Sequence, residues 1–194
     1  MDIRRTPQAR FDRRGGILHV TRLRNFEYAD YGARYKERSS AERWSWPVEP
    51  SAITRIGDTV TRDRGGGRPH KGIDVFVPSG TAVVAAKRGT VLRVVDGRYS
   101  TRASARRAGL FVDVLGSDSL VYRYLHLGDA AVRGGQTLTL GDPIGSVAPA
   151  MTSGLADTPH LHFEVRASDF QRAREDYGAA INPLRLLPTI KLRA

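Results

Sequence analysis

His160 and His162 stand two residues apart in Thr158-Pro159-His160-Leu161-His162-Phe163-Glu164-Val165-Arg166, where apolar and polar residues alternate. In a strand, alternate side chains share a face, so Leu161, Phe163 and Val165 enter a core while both imidazoles project from the other side. Neutral imidazole binds zinc and is the commonest proton shuttle, so the pair suits a metal centre with an adjoining acid or base. A second stretch, Arg68-Pro69-His70-Lys71-Gly72-Ile73-Asp74-Val75, sets a histidine and a carboxylate four apart. Pro69, the nearby glycines and β-branched Ile73 and Val75 favour extended chain over helix. His70, Gly72 and Asp74 then share a face, and the missing side chain at Gly72 leaves room for an ion. In the third stretch, Tyr122-Arg123-Tyr124-Leu125-His126-Leu127, a period of two puts Tyr122, Tyr124 and His126 on one face. Each stretch alone also reads as a half-buried strand with polar residues toward water. Together they hold four of the five histidines, His19 standing apart.

The elements that must position these residues are short β-like runs separated by Gly, Pro and Asp. Strands are expected at Gly72 to Phe76, Ala82 to Ala86, Gly89 to Val95, Leu110 to Leu115, Leu120 to His126, Thr137 to Leu140, Ile144 to Val147 and His160 to Arg166. Helical periodicity is weak, with short helices expected at Asp129 to Arg133 and Ser168 to Tyr177. Such a pattern implies a mainly β fold, an antiparallel sandwich or small barrel. Asp96 to Arg107 reads as a long basic hairpin tip: plainly a solvated loop, or else a groove wall facing an anionic polymer. Ala148 to Pro159, leading straight into the paired histidines, reads as another groove loop.

The three stretches, in this order, resemble the lysostaphin-like and LytM-type zinc endopeptidases of peptidoglycan, peptidase family M23. Pro78-Ser79-Gly80-Thr81, Gly89-Thr90-Val91, Gly141-Asp142-Pro143-Ile144-Gly145 and Asn182-Pro183-Leu184 also match, so the resemblance runs from about Trp46 to about Leu187. It implies a duplicated hybrid-motif type of β fold with a groove over one large sheet. It further implies one Zn2+ held by His70, Asp74 and His162, with a fourth tetrahedral position for water, and His126 and His160 as catalytic proton-moving residues. Which of the two is the general base is not assigned. Glu164 reads first as ordinary strand charge and second as an orienter of a metal ligand. Some relatives place a tyrosine before the first motif; here Thr61 to Arg68 offers none, leaving Arg64 or Arg68 as substitutes.

Composition sets the frame. The 194 residues suffice for one substantial domain. Thirty-one Lys and Arg against 20 Asp and Glu give a net charge of +11, which favours polyanions such as anionic cell-wall polymers. No nucleic-acid module stands out, and such a protein would leave the histidine pattern unexplained. With no cysteine, thiolate metal sites and Cys nucleophiles are excluded. No apolar run reaches transmembrane length, and no signal peptide is visible. The resemblance nonetheless implies a periplasmic, cell-wall-associated or extracellular setting.

Residues 1–45 form a basic amino-terminal arm, 46–188 the expected metallopeptidase domain, and 189–194 a tail. In the arm, His19 or Asn25 is a candidate to occupy an open metal position and block activity. A non-hydrolytic regulator or wall-binding module is the alternative function, since the family includes members that lack ligands. The intact set of His70, Asp74, His126, His160 and His162 argues for an enzyme. A carboxypeptidase with related zinc geometry would need a Glu-x-x-His second motif, which is absent at the matching place.

Overall fold

The computed structural model describes residues 44–60, 62, 69–167 and 179–190, together with the backbone pairing of two short strands near the amino terminus. Those strands, β1 (Arg10–Phe11) and β2 (Ile17–Leu18), pair antiparallel. Ten more follow: β3 (Arg55–Ile56), β4 (Ile73–Phe76), β5 (Ala82–Val84), β6 (Gly89–Asp96), β7 (Leu110–Gly116), β8 (Leu120–Ala130), β9 (Thr137–Leu138), β10 (Pro143–Val147), β11 (His160–Ala167) and β12 (Ala180–Ile181). One short helix, α1 (Ala103–Ala108), interrupts the β6–β7 hairpin. The fold is mainly antiparallel β, as expected.

The main sheet runs β3-β4-β11-β8-β7-β6-β9, with β12 beside β11 and β10 bridging β8 and β5. Its centre is the β4-β11-β8 triplet that carries the three histidine-bearing stretches. Leu161, Phe163 and Val165 on β11 are fully or almost fully buried. They join Ile73, Val75, Tyr122, Tyr124, Val112 and Val114 in one apolar core. Tyr124 packs its ring 5.2 Å from that of Phe163, and its hydroxyl accepts from the amide of Ala86 beyond β5 at 2.9 Å. Trp46 Nε1 donates to the Pro188 carbonyl at 2.8 Å, so the two ends of the span expected as a domain meet.

Two local expectations need correction. Asp129 to Arg133 is not helical. Asp129 and Ala130 pair with Ser146 and Gly145, and the Ala131 amide donates to Ile144, so ladder bonds claim the backbone before the turn at Gly134-Gly135. The hairpin tip, by contrast, contains a helix rather than only a loop. Ala103, Ala105 and Ala108 are strong helix formers, and Gly109 ends the segment at φ +70°, its amide donating to the Ala105 carbonyl. Arg106 Nη1 donates to the carbonyls of Ser100 and Thr101, both at 2.8 Å, tying the tip together.

The helix expected at Ser168 to Tyr177, the candidate arginines Arg64 and Arg68, and the arm residues His19 and Asn25 lie outside the described residues. Among the described residues no helix is long and apolar enough to cross a membrane.

Candidate metal centre

Register brings the first two stretches together. His162 on β11 stands opposite Asp74 on β4, and His160 opposite Phe76. Gly72 makes the approach possible in a way its sequence context does not reveal. A Cβ there would sit 2.2 Å from the Phe163 carbonyl oxygen, so glycine lets two backbones meet rather than leaving room for an ion.

Three donor atoms converge as a result. His70 Nε2 lies 3.0 Å from His162 Nδ1, His162 Nδ1 lies 2.8 Å from Asp74 Oδ1, and His70 Nε2 lies 3.3 Å from the same oxygen. Among the described residues this is the one cluster of His, Asp or Glu whose geometry suits a metal ion, and all three members are buried. The outer nitrogens fix the tautomers. His70 Nδ1–H donates to the Thr59 carbonyl at 3.2 Å, and His162 Nε2–H donates to Glu164 Oε1 at 3.1 Å. Zinc ligation would turn a lone pair of each ring inward, whereas without the ion a proton on these inner nitrogens bonds the Asp74 carboxylate. Such a set repels itself unless a cation or a shared proton lies within it. Zinc bonds of about 2.0–2.2 Å in a tetrahedron give donor separations of about 3.3–3.6 Å, close to the slightly contracted set seen here.

The electrostatics agree. Burial alone would raise the Asp74 carboxyl, but hydrogen bonds from His162 and His70 outweigh it and hold the group far below the usual carboxylate range. Burial would lower His162, yet Asp74 and Glu164 on either side push it up. Glu164 is held low despite burial, by Arg123, His162 and Arg166. Glu164 thus accepts from His162 on one oxygen and from Arg123 and Arg166 on the other, the bonding that the orienter reading of the sequence requires.

His160 donates from Nδ1 to the Thr158 carbonyl at 2.7 Å, which leaves Nε2 an acceptor, 3.6 Å from Asp74 Oδ1. His126 arrives by a different route. Its ring centroid is 4.9 Å from that of His160 and 5.9 Å from that of His162, on the face opposite the core. Tyr122 and Tyr124 point the other way, into the core beside Phe163, so the shared face expected for the three is broken. The cause is a β-bulge. Leu110 pairs with Leu127 and Val112 with Tyr124, so β8 carries one extra residue, and His126 sits at φ +65°. The bulge re-aims the imidazole onto the ligand set.

Burial, with His162 and His160 nearby, pushes the His126 imidazole down to about 3. It bonds the Ala108 backbone at the end of α1, while Nδ1 is buried with no hydrogen-bond partner. Gly109, Ser153 and Gly154 crowd this side, Ser153 Oγ accepting from the Leu110 amide at 2.9 Å. Sequence reasoning missed these supports. The Ser153-Gly154 pair inside the expected groove loop was the available signal.

The profile of Peptidase family M23 matches residues 68–183, a span that holds all five of these residues. An uncharacterized metalloprotease of Haemophilus influenzae is 34% identical over 160 residues, covering 82% of this chain and 27% of that protein. The murein hydrolase activator NlpD of Escherichia coli is 30% identical over 146 residues, covering 75% of this chain and 31% of its own. The chain therefore spans less than a third of the length of either relative. Among solved structures, a zinc containing peptidase from Vibrio cholerae has a TM-score of 0.55 at 29% identity, over 66% of this chain and 38% of that one. On this match, and on the three motifs now joined in one site, the chain belongs to peptidase family M23, the lysostaphin-like and LytM-type group that its sequence resembles.

Proposed function

We propose that residues 46–188 form a zinc-dependent endopeptidase domain that cuts peptide bonds of bacterial peptidoglycan, outside the cytoplasm, with one Zn2+ held by His70, Asp74 and His162. The observation that carries this reading is the convergence of the three donors with two further imidazoles beside them. A zinc ion in this set supplies Lewis acidity and lowers the pKa of a bound water to about 7.

The remaining work falls to the chain. His160 presents Nε2 as a proton acceptor, its ring fixed by Thr158. Burial keeps His126 neutral at pH 7, its ring lying against those of His160 and His162 while Nδ1 faces Gly154. One ring takes a proton from the attacking water, and the other stabilises the developing oxyanion or protonates the leaving amine. The Haemophilus and Vibrio proteins, one named a metalloprotease and one a zinc containing peptidase, support peptidase chemistry. The murein named for NlpD and the charge of +11 support a polyanionic wall as the setting.

The same relative favours a second reading, in which the domain activates another hydrolase without cutting. The experiment is incubation of zinc-loaded protein with purified peptidoglycan, alone and beside a separate murein hydrolase, with mass analysis of released fragments. New peptide ends from the chain alone support the endopeptidase. Release that needs the second hydrolase supports the activator.

A further inference from the structure

A row of alternating charge crosses the sheet on the side that carries the ligand set. Glu164 on β11 stands opposite Arg123 on β8, Arg123 opposite Asp113 on β7, and Asp113 opposite Arg93 on β6. Every neighbouring pair is joined. Arg123 Nη1 is 3.1 Å from Glu164 Oε2, Arg123 Nε is 2.9 Å from Asp113 Oδ1, and Arg93 Nε is 2.7 Å from Asp113 Oδ2. Arg166 Nη1 adds a second donor to Glu164 Oε2 at 3.2 Å. The Phe111 ring lies 5.4 Å from the Arg93 guanidinium carbon and 5.3 Å from that of Arg123, a cation–π support for both.

Stability alone is a weak reason for such a row. Asp113, Glu164 and Arg166 are buried, and removing charges from water costs several kcal/mol per ion, on the order of what their attraction returns. What singles the row out is where it ends. Glu164 divides its oxygens, Oε2 held by two guanidinium groups and Oε1 accepting from His162 Nε2–H.

We propose that the row is a positioning device for the metal centre: Arg123 and Arg166 fix Glu164, Glu164 fixes the ring of His162, and Asp113 and Arg93 hold Arg123 to that task. The inference rests on the reading of His70, Asp74 and His162 as metal ligands. Glu164 acts through His162 and touches no metal, so its effect belongs in metal retention, separable from peptide cleavage. A carboxylate that anchors one imidazole nitrogen fixes the tautomer and aims the other, and losing such a partner costs roughly 10–100-fold in metal affinity.

The test is zinc affinity and zinc release rate, measured by competition with a chromophoric chelator, in the parent, Glu164→Ala, Glu164→Gln, Arg123→Gln, Arg123→Lys and the Glu164→Ala/Arg123→Gln pair. Circular dichroism of the metal-free proteins establishes folding. Glu164→Ala should bind zinc about 10–100-fold more weakly and release it faster, with near-isosteric Glu164→Gln shifted the same way by less. Arg123→Gln should weaken binding, Arg123→Lys should recover part of the loss, and the double variant should match Glu164→Ala alone. Should Arg123→Gln fail to fold, Glu164→Gln carries the test. Affinities of both Glu164 variants within about twofold of the parent would overturn the proposal, as would fully additive losses in the double variant. A parent chain that binds no zinc would overturn the ligand set and this inference together, an outcome distinct from zinc binding that ignores Glu164.

Discussion

A Cβ placed on Gly154 would lie 2.5 Å from Nδ1 of His126, and also 2.5 Å from the carbonyl oxygen of Arg107. Gly154 itself sits at φ +75°, a conformation that costs a residue with a Cβ roughly 1–2 kcal/mol. Gly154→Ala should therefore displace His126 or the end of α1. The expected result is a large fall in kcat/KM with zinc affinity near that of the parent, because no ligand touches Gly154. Parallel kinetics and chelator competition check this split.

Tyr124→Phe tests the core beneath the site. Its hydroxyl accepts from the Ala86 amide, and both residues are wholly buried. Removing it leaves that N–H without an acceptor, a loss of about 1–3 kcal/mol. Denaturant unfolding should show the loss, while zinc binding stays intact.

Acid should destabilise the metal-free protein through His126. Its folded value of about 3 lies below the ordinary 6.5, so between those values the unfolded chain holds a proton that the folded chain lacks. Stability then falls as pH falls, by about 1.5 kcal/mol between pH 6.5 and pH 5. His162, raised by its carboxylate partners, contributes fully below its unfolded pKa and loses its contribution only as pH rises through the folded one. Asp74 and Glu164, held low, lose theirs only below the unfolded carboxylate range. His162 and Asp118, both raised, gain stability as pH falls and oppose this loss, so the comparison with a His126 variant isolates it. Unfolding of the parent and of His126→Gln at both pH values should show the smaller acid loss in the variant.

Zinc should stabilise the parent and not a ligand variant. At a free concentration of about 100 times Kd, binding adds about 2.7 kcal/mol. Asp74→Ala removes the oxygen donor and should lose most of the zinc-induced rise in Tm. Thermal unfolding with and without zinc measures it.

The strands were legible because their sequences obey one rule over several residues. Leu161, Phe163 and Val165 alternate with His160, His162 and Glu164, and β11 keeps that alternation throughout. The same rule misplaced His126. Nothing in Tyr-Leu-His-Leu announces the extra residue that turns the imidazole away from Tyr124, since a bulge is set by pairing with β7 and β10. The partners of Glu164 were hidden for a related reason. Its partner Arg123 is 41 residues distant, and spacing within a motif is blind to a neighbour supplied by the sheet. The helix in the hairpin tip had a local signal, alanines followed by Gly109, overshadowed by the density of arginines.

The measurement that bears most directly on the central claim is release of new amino groups from purified peptidoglycan, by the zinc-loaded parent, the chelated parent and zinc-loaded His160→Ala. The account predicts amine release by the first alone, with His160→Ala still binding zinc. Equal release by all three would contradict it, because cleavage would then owe nothing to the metal or to the imidazole beside it.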